Sequence, residues 1–207
     1  MNNPINEWFS HTYLINLDRS KDRLEQATRN CAKVGIAFER YRAIDGDTEE
    51  VEFNGEQTPG WNKRAAALCK TTIELIEEAK KKGYESIFIM EDDVCFPRNF
   101  LEKINRIRIP NDFELFHFRI TPPIRLEWKS PGVIRIFGAW CCQAYAIHSK
   151  IYDLMIEELS KFDRPLDAVT MDIHARGFSY ATSTNLVDHP TNYSTLRQRV
   201  IDYRIES

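Results

Sequence analysis

The segment "IFIMEDDVCF" (residues 87–96) decides the fold, because four apolar residues run directly into Glu91, Asp92 and Asp93 before apolar residues return. An apolar run without polar alternation is typical of a strand whose two faces are both covered, as in the centre of a sheet flanked by helices. The segment therefore predicts a central strand, and it places three like charges where that strand ends.

The neighbouring segments alternate between apolar runs and amphipathic stretches. "TYLINL" (12–17) and "IAFERYRAID" (36–45) predict two further strands, and residues 18–35 between them carry apolar side chains at helical spacing. A second helix precedes the central strand and ends at Gly83. Strands joined by helices predict an α/β fold: a Rossmann-like, mixed and mainly parallel sheet flanked by helices. We expect one domain over residues 1–207, either alone or within a longer protein.

Two stretches are predicted to be irregular. The connection between Asp45 and Arg64 has about twenty residues, far more than the ~4 to 6 residues that are usual in compact domains, and such long loops often carry function. The second stretch is "TPPIRLEWKSPG" (121–132), where prolines and a Pro-Gly pair indicate turns. The rest of the chain is predicted to form an apolar segment, two helices that begin near Ser149 and Pro165, and a last strand.

Composition excludes several classes of protein. The net charge of −3 gives no polycationic surface, so nucleic acid is not an expected partner. Five cysteines without a C-x-x-C pair indicate neither a zinc site nor a disulfide framework, and they favour a reducing, cytoplasmic location. No stretch approaches the ~20 apolar residues of a membrane span, so any association with a membrane is expected to run through a substrate.

The acids after the central strand have two interpretations. The alternation of a strand sends Glu91 and Asp93 to the same side, and ligands of open α/β sheets bind beyond the carboxyl ends of the strands. Crowded carboxylates suit a hard divalent cation, which prefers oxygen ligands and offsets the repulsion between the acids. The alternative is a solvated acidic turn, or a helix N-cap in front of "PRNFLEKINRI".

Arg19 and Arg23 form a second cluster, because they stand four residues apart near the start of the first helix. Guanidinium groups beside a helix N-terminus suit a diphosphate. Alternatively, Asp18, Asp22 and Glu25 neutralise the two arginines locally, at about 0.2–0.5 kcal/mol per pair. Together with the acids, the arginines predict a nucleotide diphosphate bound through a divalent cation.

Four motifs resemble glycosyltransferase family 25, which includes lipooligosaccharide and collagen galactosyltransferases. They are "YLINLDRSKDR", "YRAIDG", "IFIMEDDV" and "DRPLDAV", in the order and rough spacing of the family. The resemblance implies a GT-A fold, a UDP-sugar donor and a manganese or magnesium cofactor. The positions that it carries over for nucleotide and cofactor binding are Asn16, Arg19, Arg23, Ala43, Asp45, Gly46, Glu91, Asp93 and Ser194.

The resemblance also implies roles in sugar transfer. Asp93 and Glu91 would hold the metal, with His189 completing its ligands, because enzymes of this fold often bring a histidine from beyond the last core strand. Asp167 is the first candidate for the base that deprotonates the acceptor hydroxyl, and Asp172 is the second. The alternative for Asp167 is a helix-capping acid behind Pro165. The expected reaction moves galactose or glucose, with inversion, to a glycan, glycolipid or glycoprotein.

One departure from the family pattern leaves other functions open. Family members tend to carry a Ser-His pair before the central strand, where this chain has Cys69 and Lys70. A metal-dependent phosphohydrolase or nucleotidyltransferase would use the same acids and arginines, and a non-catalytic nucleotide-sugar-binding module would tolerate the altered segment. Trp61 and Trp128 are the loop candidates for stacking on a sugar ring.

Overall fold

The structure, a computed structural model, describes residues 3–53 and 61–188, together with the backbone of 192–194 and 199–201. The helices are α1 (Ile5–Trp8), α2 (Lys21–Val34), α3 (Lys63–Lys81), α4 (Phe100–Ile104), α5 (Tyr152–Leu159) and α6 (Leu166–His174), with a 3-10 turn at Ser149–Ile151. The strands are β1 (His11–Asn16), β2 (Glu39–Arg42), β3 (Ser86–Glu91), β4 (Leu115–His117), β5 (Arg125–Ser130), β6 (Val133–Phe137), β7 (Ala144–His148), β8 (Ser179–Thr182), β9 (Asn192–Ser194) and β10 (Arg199–Ile201). Within these described helices, none has the length and apolar content that crossing a bilayer requires.

Eight strands form one mixed sheet in the order β2-β1-β3-β7-β4-β8-β6-β5, and helices flank it, so the predicted α/β class is confirmed. The prediction that the sheet is mainly parallel is wrong, because four of its seven pairings are antiparallel. The physical reason is the position of β7. This strand runs opposite to both of its neighbours, β3 and β4, so one reversed strand makes two antiparallel pairings, and β6 does the same between β5 and β8.

The central strand is β3, and its two faces supply two separate cores. Ile87 and Ile89 belong to the cluster that packs against α3, α5 and α6. Phe88 and Met90 belong to the cluster formed with α2 and α4. The uninterrupted apolar run of this strand therefore has the cause that the sequence predicts: every side chain before Glu91 is buried against one layer of helices or the other.

Local signals fix the ends of the two long helices. Gly35 follows α2 with φ 73°, a left-handed conformation that glycine adopts without the steric cost of a Cβ. Helix α3 begins after Asn62, whose side-chain oxygen accepts hydrogen bonds from the backbone N–H groups of Arg64 and Ala65, each at 3.0 Å. These caps satisfy backbone groups that the ends of a helix leave unpaired. Because the capping residues can be recognised in the sequence, the predicted helix ends agree closely with the structure.

Two sequence expectations differ from the fold. The stretch predicted to be irregular at 121–132 contains strand β5, which forms a hairpin with β6. Its alternating charged and apolar residues are a period of two, and this strand signal outweighs the flanking prolines. The apolar segment that follows is not one element. It is split into β6 and β7 by residues 138–143, where Gly138 and Cys141 have positive φ values of 77° and 98°.

Candidate active site

Asn16 joins the carboxyl ends of β1 and β3. The two strands run side by side, with Ile15 opposite Glu91, so the residues that follow them meet at one edge of the sheet. The buried Asn16 amide donates to the carboxylate of Asp92 at 2.7 Å and to the backbone oxygen of Ser20 at 3.0 Å. This predicted nucleotide-binding residue therefore fixes the acidic turn relative to the start of α2.

Arg23 extends from α2 to the same turn. Its guanidinium forms ion pairs with Asp92 and with Asp93, the latter at 3.1 Å. Burial alone would lower the pKa of Arg23, but Asp92, Asp93 and Glu91 outweigh it and raise the pKa above its ordinary value. One permanently charged guanidinium thus lies among several carboxylates and offsets part of their repulsion.

Glu91 carries the most perturbed carboxyl group of this turn. Burial, and then the charges of Asp93 and Asp167, raise the pKa of Glu91 well above its usual value. Burial also raises the pKa of Asp92 to about 6, although Arg23 and Asn16 act against the rise. Glu91 is therefore an acid whose ionised form is stabilised poorly by its protein neighbours, and a cation beside it would relieve that cost.

Asp93 is oriented from two sides. Its carboxylate accepts a hydrogen bond from the side chain of Gln143 at 2.8 Å and pairs with Arg23. Gln143 also accepts a hydrogen bond at its backbone oxygen from the N–H of Glu91, at 2.9 Å. The segment 138–143 is thus bonded directly to the acidic turn, and Gln143 is a site residue that sequence reasoning missed because a lone glutamine gives no signal.

Asp167 lies in the first turn of α6, which contacts the segment 138–143: the Thr170 hydroxyl donates to the backbone oxygen of Asp167 at 3.0 Å and lies 3.4 Å from the Cys142 thiol. The charge of Asp167 contributes to the raised pKa values of Glu91 and of this thiol. An acid in this turn also interacts favourably with the helix dipole, which agrees with the capping alternative. Asp172 lies elsewhere. Its side chain is 71% exposed and pairs with Arg164 at 3.1 Å. Of the two candidate bases, Asp167 is therefore the one whose charge acts on Glu91.

Arg19 belongs to a second group of charges, beyond β2. It forms ion pairs with Asp45 and with Asp47, the latter at 3.1 Å, and Arg64 pairs with Asp47 as well. Ala43 is tied to this region through its N–H, which donates to the backbone oxygen of Asn16 at 3.0 Å. The predicted positions of the first two motifs thus lie on one connected network.

The local alternative for the two arginines does not describe the structure. Arg19 and Arg23 pair with acids that come from distant segments, Asp45, Asp47 and the turn after β3. Asp18 instead pairs with the two arginines of β2. Long-range ion pairs of this kind position the arginines at the edge of the sheet. An i,i+4 network would instead join residues on the surface of a single helix.

Gly46 is required by a close approach of the backbone to the start of α3. A Cβ added at Gly46 would lie 2.5 Å from the backbone oxygen of Lys63 and 2.9 Å from the Cα of Arg64. No side chain fits there without moving the loop or the helix. The second motif thus brings Asp45 and Asp47 against the helix that follows the long connection.

We expect Gly46→Ala to lower the free energy of unfolding by about 3 kcal/mol, the upper end of the usual cost of overpacking, because the new methyl group overlaps rigid backbone. Gly83→Ala is the matched control. Gly83 has φ 71°, but nothing lies within 4 Å of an added Cβ. The substitution should therefore cost only the backbone strain of a left-handed alanine, about 1 kcal/mol. Urea unfolding of both variants measures the difference, and equal costs would contradict the close approach.

Two buried histidines hold the segment 138–143 from its other side. The backbone N–H of Ala139 donates to His174 Nδ1 at 3.3 Å, and the Nε2 atoms of His174 and His117 are 3.1 Å apart. Because Nδ1 of His174 accepts, the neutral ring carries its proton on Nε2 and donates it to His117. The sequence gives no signal for this pair, because 57 residues separate its members.

The histidine pair predicts a pH dependence of stability. Burial lowers the pKa of His117 to about 4, and burial with the neighbouring His117 lowers the pKa of His174 to about 2, so the unfolded chain binds protons that the native state does not. The stabilisation that the two neutral histidines contribute is complete at pH values above about 6.5, the pKa of a histidine in the unfolded chain. This contribution is lost as the pH falls below that value. Per histidine, the loss between pH 7 and pH 5 is about 2 kcal/mol.

His174→Asn isolates this effect, because the asparagine oxygen still accepts from the Ala139 N–H while the titrating ring is gone. We expect its stability to depend less on pH than that of the wild type, by about 2 kcal/mol between pH 7 and pH 5. Urea unfolding of the wild type and the variant at both pH values measures this difference. The raised pKa values of Glu91 and Asp92 contribute an opposite pH dependence that is the same in both proteins, so it cancels. An unchanged dependence would exclude a buried neutral His174.

The carboxylates fit a hard divalent cation in their chemistry. Glu91 and Asp93 offer oxygen ligands, and burial together with the charges of Asp93 and Asp167 raises the pKa of Glu91, so a cation would stabilise its ionised form. In the part of the chain that the structure describes, no group of three or more His, Cys, Asp or Glu side chains is arranged around a single point for a metal. His189 and the side chain of Ser194 lie outside the described residues.

The remaining candidates differ in accessibility. Trp61 is 1% exposed in the core, so it is not available to stack on a sugar, whereas Trp128 is exposed on β5. Trp140, which the sequence did not single out, is 47% exposed three residues before Gln143. Where the chain departs from the Ser-His pattern of the family, Cys69 is buried, and the Lys70 amino group lies 3.5 Å from the backbone oxygen of Glu50.

The acids and the guanidinium lie beyond the carboxyl ends of the central strands, which is where open α/β sheets bind their ligands. The chain belongs to glycosyltransferase family 25. Residues 9–170 match the family described as "Glycosyltransferase family 25 (LPS biosynthesis protein)". No curated protein matches the sequence.

Two solved structures are similar in outline. One is a glycosyltransferase involved in the glycosylation of the major capsid of PBCV-1, with 15% identity over 72% of this chain and 64% of that one, at a TM-score of 0.40. The other is described as a mannose-1-phosphate geranyltransferase from Thermus thermophilus, with 10% identity over 83% of this chain and 73% of that one, at a TM-score of 0.44. The chain thus spans less than two thirds of the capsid enzyme, and the family assignment rests on the sequence match.

Proposed function

We propose that the protein transfers a hexose, galactose or glucose, from a UDP-sugar to a hydroxyl group of a glycan, glycolipid or glycoprotein, with inversion and with a divalent cation. The observation that carries the proposal is the group of charges beyond β3, in which Asp93 pairs with Arg23 at 3.1 Å and the charge of Asp167 acts on Glu91. Inverting transfer needs a base on the acceptor side and stabilisation of a leaving diphosphate. This cluster contains a carboxylate for the first task and a guanidinium for the second.

Arg19 and Arg23 would bind the diphosphate. Both are already charged and oriented by carboxylates, so they would exchange one anionic partner for another when the donor enters. Asn16, Ala43, Asp45, Gly46 and Ser194 would hold the nucleoside, as the family motifs imply. Their role is consistent with the way Asn16 and the loop at Gly46 fix the two groups of charges relative to each other.

Glu91 and Asp93, with His189, would hold manganese or magnesium. When bound, the cation supplies a Lewis acid that offsets the charge of the departing diphosphate. Gln143 donates a hydrogen bond to the Asp93 carboxylate and Arg23 pairs with it, so the two side chains would hold Asp93 in place and reduce the repulsion between the acids before the cation binds. Asp167 would accept the proton of the acceptor hydroxyl as that oxygen attacks the anomeric carbon, with Asp172 as the alternative base.

The test is product analysis with UDP-galactose and UDP-glucose, each with manganese and with EDTA. Release of UDP that needs manganese and rises with added saccharide acceptors supports the proposal, and NMR of the product gives the anomeric configuration. Release of UMP would indicate attack at phosphorus and a phosphohydrolase or nucleotidyltransferase. Tight binding of UDP-sugars without any release would indicate a non-catalytic module.

A further inference from the structure

The two edges of the sheet have opposite character. At one edge, β2 exposes charged side chains, and its arginines pair with Asp18 and Glu49. Charged edges of this kind discourage pairing with another chain. At the other edge lies β5, which within the described residues has a strand on one side only, β6.

The outward part of β5 is apolar on one face. Ile124, Leu126 and Trp128 are every second residue, so they share a face, and they are 79%, 50% and 68% exposed. They are three of the five exposed large apolar side chains in the part of the chain that the structure describes. An apolar strip on an open strand edge is a template for β-pairing.

The other face of β5 is charged, and positive and negative side chains alternate along it. Arg125 lies over the ring of Phe137, with its guanidinium carbon 3.8 Å from the ring centre, and Glu127 lies 3.5 Å from Arg135. Both β5 side chains remain largely open to solvent. The strand therefore presents an apolar row and a charge pair to any chain that aligns with it.

We propose that β5 pairs with β5 of a second copy of this chain, antiparallel and about a two-fold axis at Leu126. In this register Leu126 faces its own copy, and Ile124 faces Trp128 of the second copy on the same side. On the opposite side, Arg125 faces Glu127 of the second copy, twice by symmetry. Apolar residues meet apolar residues and opposite charges meet, which stabilises cross-strand pairs.

The backbone geometry agrees with this register. The N–H of Ile124 bonds the backbone oxygen of Gly138 at 2.7 Å, so the even-numbered residues direct their hydrogen-bonding groups toward β6. The odd-numbered residues Arg125 and Glu127 then direct theirs outward, where the two copies exchange N–H to C=O bonds. The residue on the axis, Leu126, is a non-hydrogen-bonded position, where opposing side chains lie closest.

Neighbouring symmetric registers are less favourable. An axis at Glu127 would oppose that acid to its own copy and Arg125 to Lys129. An axis at Trp128 would cross the irregularity in the ladder between Trp128 and Ser130. Shifts that place the apolar face against the charged face are excluded by the alternation of the strand.

Charge reversal tests this register by sedimentation velocity at roughly 1–200 µM, a range suited to a small interface. The wild type is expected to form a dimer as its concentration rises. Arg125→Glu and Glu127→Arg each place like charges opposite each other twice, and each is expected to weaken dimerisation at least about tenfold. The double variant Arg125→Glu/Glu127→Arg restores the opposite pairs and is expected to dimerise again.

Circular dichroism confirms that the variants fold, since both side chains are exposed. A wild type that stays monomeric over the whole range would overturn the proposal. So would a dimer that neither single reversal weakens, or one that the double variant does not restore. Binding of a monomer to phosphatidylcholine vesicles would overturn it as well and would assign the apolar row to a lipid surface.

Discussion

Asp167→Asn is expected to lower kcat for sugar transfer by about 10²–10⁴-fold, the usual contribution of a positioned general base. The substitution keeps the shape of the side chain and removes its ability to accept a proton. Because the proposed role of Asp167 is to deprotonate the acceptor hydroxyl and not to bind the donor, the loss should appear in kcat, while the KM for the UDP-sugar should change little.

Asp172→Asn is the matched comparison, since it changes the same residue type on the same helix. Its side chain is exposed and paired with Arg164, so we expect activity close to that of the wild type. Initial rates of UDP release with a saccharide acceptor measure both variants. The opposite pattern would move the base to Asp172, and full activity of both variants would place the base on another residue.

Asp93→Asn is expected to remove manganese-dependent stabilisation and to lower transfer by at least about 10²-fold. With ligand at 100 times its Kd, binding stabilises a protein by about 2.7 kcal/mol, which raises the Tm of a chain of this size by several degrees. The asparagine oxygen can still accept from Gln143 or Arg23, so the turn should keep its fold. What is lost is one of the charges that attract a hard cation.

Thermal unfolding with and without manganese and UDP measures the first effect, and UDP release measures the second. Asp153→Asn is the control, because Asp153 is 81% exposed and pairs with Lys80 away from the acidic turn. The wild type and this control should show the same manganese-dependent shift. A full shift in Asp93→Asn would mean that the cation binds elsewhere or only through the nucleotide.

The predictable part of the fold lies in β3 and its neighbours along the chain. The apolar run of residues 87–90 is dictated by burial on both faces, and Gly35 and Gly83 follow the ends of their helices. The direction of β7 was not predictable. An apolar run looks the same whether a strand is parallel or antiparallel to its neighbours, and the pairing with β3 joins residues more than fifty positions apart.

The candidate site also has features that the sequence predicts and features that it does not. The crowding of Glu91 with Asp93 follows from strand alternation, whereas the approach of Asp167 came only from the resemblance to the family. Arg19 and Arg23 share a helix end, yet their partners come from different loops, so local spacing could not assign them. Gln143 was not predictable, because its role depends on the path of the segment between β6 and β7.

The reversed strand β7 has a consequence for synthesis of the chain. Until residues 144–148 have left the ribosome, β3 has β1 on one side and no partner on the other, and β4 has no partner at all, because both of its neighbours, β7 and β8, come later in the chain. At about 5–20 residues per second, roughly 3–10 s separate the emergence of Glu91 from that of Ala144. During that interval the most apolar strand of the nascent protein exposes an open edge, so molecular chaperones have their greatest opportunity to bind there.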